Sequence, residues 1–200
     1  MLAYLLDAFA GPSAFFMWTI TATLALALAI FVERSWLLLR LRRCDRAAVR
    51  AALGRKDLDA ALAAAGSGPV GEVLRAGREA QGAEAAWDAM SAASLRVEAR
   101  LQARTPYLGT IGNVATMIGL LGNVLGIIIA FSSLGEASAE ARAVHLSQGI
   151  ATAMATTAYG LMVAIPALCA HAWLDQQARA YMAEIEALAG ELCARLRAGC

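Results

Sequence analysis

Two hundred residues that are 60% hydrophobic, with a mean hydropathy of +0.57, exclude an ordinary water-soluble globule. The net charge of +1, with no basic patch set on one folded face, argues against a nucleic-acid-binding role. Charged residues make up only 16% of the chain and are missing from 25 residues at Ala8–Val32, 31 at Thr105–Gly135 and 32 at Ala143–Leu174.

A membrane-crossing helix needs about 20 apolar residues, so each of these runs is long enough. A soluble bundle would place charges every turn or two. The pattern predicts an all-α integral membrane protein. It has three transmembrane helices, a cytoplasmic helical domain between the first and second, and a C-terminal cytoplasmic helix. The basic residues set the orientation. Thirteen of the 17 Lys and Arg fall between Arg34 and Arg104, one (Arg142) lies between the second and third runs, and three follow the third. The N-terminus is therefore expected outside and the C-terminus inside.

Residues 1–12 form a short lead-in ending at Gly11-Pro12. The first membrane helix is expected over 13–33, with Trp18 and Trp36 suited to the two interfaces. It lacks the basic leader of a signal peptide and is longer than a signal core, so it is expected to remain as an anchor. Thr19, Thr21 and Thr23 soften this helix, but each can bond to its own backbone.

The cytoplasmic domain is assigned to 34–104. A basic helix continues past Arg34, Asp57 opens another at its N-terminal end, and further helices follow at about 70–80 and 84–104, with Ala93, Val97 and Leu101 spaced four apart. Large apolar side chains are few here, so this domain is expected to lean on the C-terminal helix or on neighbouring copies. Gly66-Ser67-Gly68-Pro69-Val70-Gly71 spells a literal G-x-G-x-x-G. A dinucleotide site needs a strand before those glycines and a helix after. An Ala-rich helix precedes them and a proline sits inside, so the segment reads as a hinge.

The second membrane helix is assigned to 107–131 and a short outer loop to 132–146. On a helical wheel Gly112, Gly119, Gly122 and Gly126 share one stripe, with Thr116 and Asn123 along its edge. Glycines let helix backbones approach closely in lipid. Asn123 is harder to explain by packing alone, because an amide at bilayer depth is costly unless something pairs with it.

The third membrane helix is assigned to 147–173 and the cytoplasmic helix to 174–200. Gln148, Thr152, Thr156 and Tyr159 share a face of the third helix, whereas Thr157 points about 140° away from Thr152. Two polar faces suggest surroundings of protein rather than lipid. Pro166 is expected to loosen or kink this helix near its inner end. In the C-terminal helix Tyr181, Ile185, Leu188, Leu192 and Leu196 make an apolar stripe of the kind that packs on a partner helix.

No catalytic constellation, cofactor motif or metal-ligand spacing is present, so the chain is not read as an enzyme. His145 and His171 stand near opposite ends of the third run and cannot share a site within one helix. Cys44, Cys169, Cys193 and Cys200 form no CxxC pair and read as reduced thiols. No Asp or Glu lies inside the three runs. If this chain conducts protons, the titrating group at depth must come from another chain.

These residues together resemble the ExbB/TolQ/MotA proton-channel family, nearest its ExbB/TolQ branch. The likeness begins with Gly11-Pro12, Met17-Trp18 and Glu33-Arg34, then Lys56-Asp57-Leu58, Ala60-Ala61-Leu62 and Gly68-Pro69-Val70-Gly71. It continues through Tyr107-Leu108-Gly109-Thr110-Ile111-Gly112 and Gly119-Leu120-Leu121-Gly122 with Val124 and Gly126. Its most specific blocks are in the third helix: Gly149-Ile150-Ala151, Thr156-Thr157-Ala158, Gly160-Leu161 and Ala164-Ile165-Pro166-Ala167.

The resemblance implies a ring in the bacterial inner membrane, usually a pentamer. The ring encloses single-span ExbD/TolR-like partner helices that carry a membrane Asp. Asn123, Thr157, Thr152, Thr156 and Thr116 become pore-lining or proton-path residues on this reading. Gly112, Gly119, Gly122, Gly126, Gly160 and Pro166 become helix-packing positions. Two residues depart from the family pattern: Asn123 stands where a pore threonine is usual, and Thr152 where a Glu often stands. The second departure keeps open an alternative, a non-conducting membrane scaffold that retains the fold.

Overall fold

The computed structural model describes Phe9 and residues 14–41, 46–55, 57–132 and 139–198. Gly11-Pro12, Ser13, Cys44, Lys56, Cys200 and positions 133–138 of the expected outer loop lie outside the described residues. Among the described residues the ordered secondary structure is helical throughout: α1 (Ala14–Leu41), α2 (Arg46–Gly54), α3 (Leu58–Ala65), α4 (Pro69–Glu79), α5 (Ala83–Gln102), α6 (Thr105–Ser132) and α7 (Ala139–Ala198).

The chain divides into two units, one of residues 1–32 with 104–172 and one of 33–103 with 173–200. The first holds the apolar parts of α1, α6 and α7. Ile20, Ala115, Val163 and Ala164 form a buried cluster there, with Leu24, Ile118 and Tyr159 packed against it. The threonines of α1 do bond to the preceding turn: Thr19 donates to the Phe15 carbonyl at 2.7 Å, Thr21 to Met17 at 2.8 Å and Thr23 to Ile20 at 2.7 Å.

Three helical stretches, within Ala14–Leu41, Ala83–Ser132 and Arg142–Arg197, are long and apolar enough to cross a membrane. Of their most apolar windows only 17%, 22% and 39% is buried inside the chain. Most of that surface therefore needs a lipid or protein neighbour.

In the second unit the apolar stripe of α7 is buried at Tyr181, Ile185, Leu188 and Leu192, together with Val73 and Leu74 of α4 and Met90, Ala93 and Val97 of α5. Gly77 makes that packing possible, since a Cβ there would stand 2.7 Å from Met90 Sδ and 3.4 Å from Leu192 Cδ2. The thin core thus leans on the C-terminal helix of its own chain. Asp57 caps α3 by accepting from the Ala60 N–H at 2.9 Å. The G-x-G-x-x-G segment is a turn between α3 and α4. Gly66 has φ +63°, Pro69 opens the next helix, and helices rather than a strand flank it.

Helix boundaries differ from expectation in several places, and α1 runs to Leu41, past the expected end of the first membrane helix at 33. The third membrane helix (147–173) and the C-terminal helix (174–200) are one element. α7 begins at Ala139, inside the expected outer loop, and runs unbroken to Ala198. Between Ala172 and Gln176 the polarity changes, but no Gly or Pro interrupts the backbone. A change of solvent is not a change of conformation. Pro166 likewise lies inside α7 without ending it. α6 starts two residues earlier than expected, with Pro106 in its first turn, where a missing N–H costs nothing.

Candidate functional site

The site is built where α6 and α7 pack antiparallel in the first unit. Their register follows from the glycines. A Cβ at Gly112 would meet Leu168 at 2.8 Å, one at Gly119 the Thr156 carbonyl at 3.0 Å, and one at Gly126 the Ala153 Cβ at 2.9 Å. From the other helix, a Cβ at Gly160 would stand 2.8 Å from the Ala115 carbonyl and 3.1 Å from Gly119 Cα. Gly149 faces Ala130. The expected packing glycines therefore lie along one seam, where absent side chains bring two backbones into contact. Gly122 faces both Thr156 and Phe16 of α1, each at 3.2 Å. Pro166 is exposed, away from the seam.

Helix α1 covers one flank of this seam. Tyr159 and Thr21 lie 3.0 Å apart across it. Because the Thr21 hydroxyl proton is engaged by Met17, Tyr159 is the donor of that bond. At about 100° per residue, Thr152 falls on this same flank, on the Tyr159 side of α7. It is half-buried.

Thr116, Asn123 and Thr157 fall on the opposite flank, away from α1. All three are half-buried, and Leu120, Met154 and Leu161 beside them are exposed. Thr157 Oγ1 donates to the Gly119 carbonyl at 3.3 Å, across the seam. Thr116 bonds back to the Gly112 carbonyl at 3.1 Å. Asn123 differs from both. Its Oδ1 is buried and has no hydrogen-bond donor among the described residues. An amide oxygen left so in apolar surroundings costs about 1–3 kcal/mol until a donor reaches it.

Thr156, expected among the path residues, is placed in the seam itself. It is fully buried, and its hydroxyl lies 2.7 Å from the Ala153 carbonyl and 3.3 Å from that of Gly119. It serves the contact between the two helices of this chain. The five polar positions read from the sequence are thus sorted three ways: Thr116, Asn123 and Thr157 on the open flank, Thr156 within the seam, and Thr152 toward α1.

Asn113, an exposed amide on α6, joins the polar positions expected from the sequence. It lies beside Thr116 on the wheel, and its presence in an uncharged run was the available signal. His171, which the sequence places only at one end of the third run, is brought against the start of α6. Its Nδ1 is 3.0 Å from the Thr105 carbonyl at the start of α6, and its ring covers Gly109. Among the described residues no three His, Cys, Asp or Glu side chains converge as a metal site.

Comparison with known sequences identifies relatives of this chain. Residues 61–187 match the profile of the MotA/TolQ/ExbB proton channel family. The Tol-Pal system protein TolQ of Pseudomonas aeruginosa is 40% identical over 83 residues, 42% of this chain and 36% of that protein. The biopolymer transport protein ExbB of Aquifex aeolicus is 34% identical over 96 residues, 48% of this chain and 64% of that one. ExbB of Neisseria gonorrhoeae is 36% identical over 89 residues, 44% of this chain and 40% of it. The matched stretch spans little more than a third of the TolQ relatives' length, 36% in each of two.

Proposed function

The chain belongs to the MotA/TolQ/ExbB proton channel family, and from that premise we propose that it is a ring-forming stator subunit of an inner-membrane motor. The motor draws on the proton motive force and drives work in the periplasm or at the outer membrane. Transport, envelope maintenance and gliding-type motility are the processes it could serve. The ring is a homo-oligomer, most simply a pentamer, around an ExbD/TolR-like single-span partner whose membrane Asp supplies the carboxyl that this chain lacks at depth. The N-terminus is periplasmic, 34–104 and the C-terminal part of α7 are cytoplasmic, and the 132–146 segment faces the periplasm. The chain has no enzymatic role on this reading.

One observation carries the proposal: the buried, donorless Oδ1 of Asn123 on the flank not covered by α1. A protonated partner carboxyl offers the O–H that this oxygen lacks, and the Asn amide N–H can bond the same group in return. Thr116 and Thr157 on the same flank give a passing carboxyl further polar contacts. Thr152, in place of an ionisable residue, leaves the titration to the guest helix. That difference affects rate and ion choice; the seam and its polar flank are built without it.

The test is partner-dependent proton leak in cells or vesicles. Asn123→Ala is expected to lower it about tenfold, in line with the loss of one buried hydrogen bond of 1–2 kcal/mol. Thr157→Ala should lower it less, because the Thr157 hydroxyl is already engaged by Gly119. Wild-type leak from both variants, or no leak from the wild-type complex with its partner, would overturn the stator reading in favour of a scaffold.

A further inference from the structure

The open flank ends at a group that can itself hold a proton. His171 lies at the Thr105 end of the α6–α7 seam, half-buried, with Nδ1 3.0 Å from the Thr105 carbonyl oxygen. A carbonyl only accepts, so Nδ1 carries the hydrogen, and in the neutral ring Nε2 holds the lone pair. The ring lies over Gly109: a Cβ there would stand 3.2 Å from Cδ2 and 3.4 Å from Nε2. Gly109 is on the same flank of α6 as Asn113, Thr116 and Asn123 at about 100° per residue. The ring is therefore held in one tautomer by a backbone bond, and its basic nitrogen lies over Gly109, on the polar flank of α6.

From this we infer that His171 is the proton-exchanging group at the end of the path, passing protons between the open flank and the aqueous phase beyond α6's first turn. This rests on the stator reading and deepens it by naming a residue of this chain that changes charge. In the step itself, the Nε2 lone pair takes a proton from hydronium in the flank, leaving water and an imidazolium that still donates through Nδ1 to Thr105. Nε2 then releases that proton to water outside. Thr116 is seven residues from Gly109, about 10 Å along the helix, so transfer between that hydroxyl and the ring requires intervening water.

Among the described residues the other titratable or charged groups along this contact are few. Arg104 immediately precedes α6, Tyr107 is exposed on its first turn, and Cys169 is exposed on α7. One turn beyond His171, Asp175 is paired with Arg179 at 2.9 Å.

The experiment measures proton flux into vesicles holding the full chain co-purified with its single-span partner, with a pH dye inside. Flux is read against pH on the His171 side for wild type, His171→Gln, His171→Ala and, as a control, the exposed His145→Gln. His171→Gln is expected to lower flux at least about tenfold and flatten its pH dependence, whereas His145→Gln leaves both unchanged. Free imidazole should restore flux to His171→Ala, which a merely structural role would not allow. Unchanged flux and pH profile in His171→Gln overturn this inference while wild-type conduction leaves the stator reading standing; absent wild-type conduction fells both. Should the variants fail to assemble, nitrogen NMR of histidine-labelled wild-type chain in nanodiscs decides the matter. A ring with Nδ1 protonated and Nε2 gaining and losing its proton as the pH on that side is changed supports it, and one whose Nε2 never changes protonation overturns it.

Discussion

At Gly160 a single hydrogen atom stands where every other residue type would carry carbon. The space left is 2.8 Å to the Ala115 carbonyl and 3.1 Å to Gly119 Cα, both backbone atoms that cannot rotate aside. Gly160→Ala must therefore separate α6 from α7. It would also weaken the Thr157 bond to the Gly119 carbonyl and the burial of Thr156. The expected loss is about 1–3 kcal/mol, the usual range for overpacking. Equilibrium unfolding in mixed micelles, followed by tryptophan fluorescence, would measure it; a change below about 0.5 kcal/mol would show that the seam is looser than described. Asn123 is the opposite case, since its oxygen lacks a partner rather than space. Removing it should cost function more than stability. The glycine stripe and the unexplained amide were both visible in the sequence. Which threonines lie in the seam and which face away from α1 was not, because that depends on the side α1 covers.

The helix of greatest consequence at the next scale is α7, which serves two surroundings in one backbone. Its first half presents Ala153, Thr156, Gly160 and Ala164 to α6, and its second half buries Tyr181, Ile185, Leu188 and Leu192 in the other unit. Tyr181 is 2% exposed, and its hydroxyl bonds to the Leu41 carbonyl at 3.4 Å. Tyr181→Ala is expected to destabilise the second unit by about 3–5 kcal/mol, the range for truncating a buried aromatic ring. Limited proteolysis between α2 and α5 would report it. Tyr181→Phe keeps the ring and should cost about 1 kcal/mol. The apolar stripe predicts this burial. The rise in polarity at Asp175 marks a change of surroundings and not a helix end, because helix propensity there stays high and no breaker intervenes.

For the molecule as a whole, the uneven placement of arginines makes a prediction about sidedness. Thirteen of 17 basic residues lie between Arg34 and Arg104, so that region is expected in the cytoplasm. With the native cysteines replaced by serine, a single cysteine at Ser67, exposed on the α3–α4 turn, should resist a membrane-impermeant maleimide in intact spheroplasts. One at Ser138 should react. The reverse pattern would invert the proposed topology. At this scale the exposed apolar surface also becomes intelligible. Met117, Leu120, Met154 and Ile165 each expose more than half of their surface. Lipid, a second copy or a guest helix must cover them.

The sequence alone determined that this chain lives in a bilayer, because charges vanish over runs long enough to cross it, and apolar runs of that length satisfy their backbone in lipid as helices rather than as short barrel strands. It also marked the glycines as a contact and Asn123 as a debt, since both are properties of single residues in an apolar run. Only the tertiary structure decided how the polar residues are divided. Flanks exist only once a third helix covers one of them: Tyr159 bonding Thr21 and Phe16 seated on Gly122 place α1 there. No periodicity within α6 or α7 records where another helix will lie. The same reason hid His171, whose role depends on a carbonyl 66 residues away along the chain.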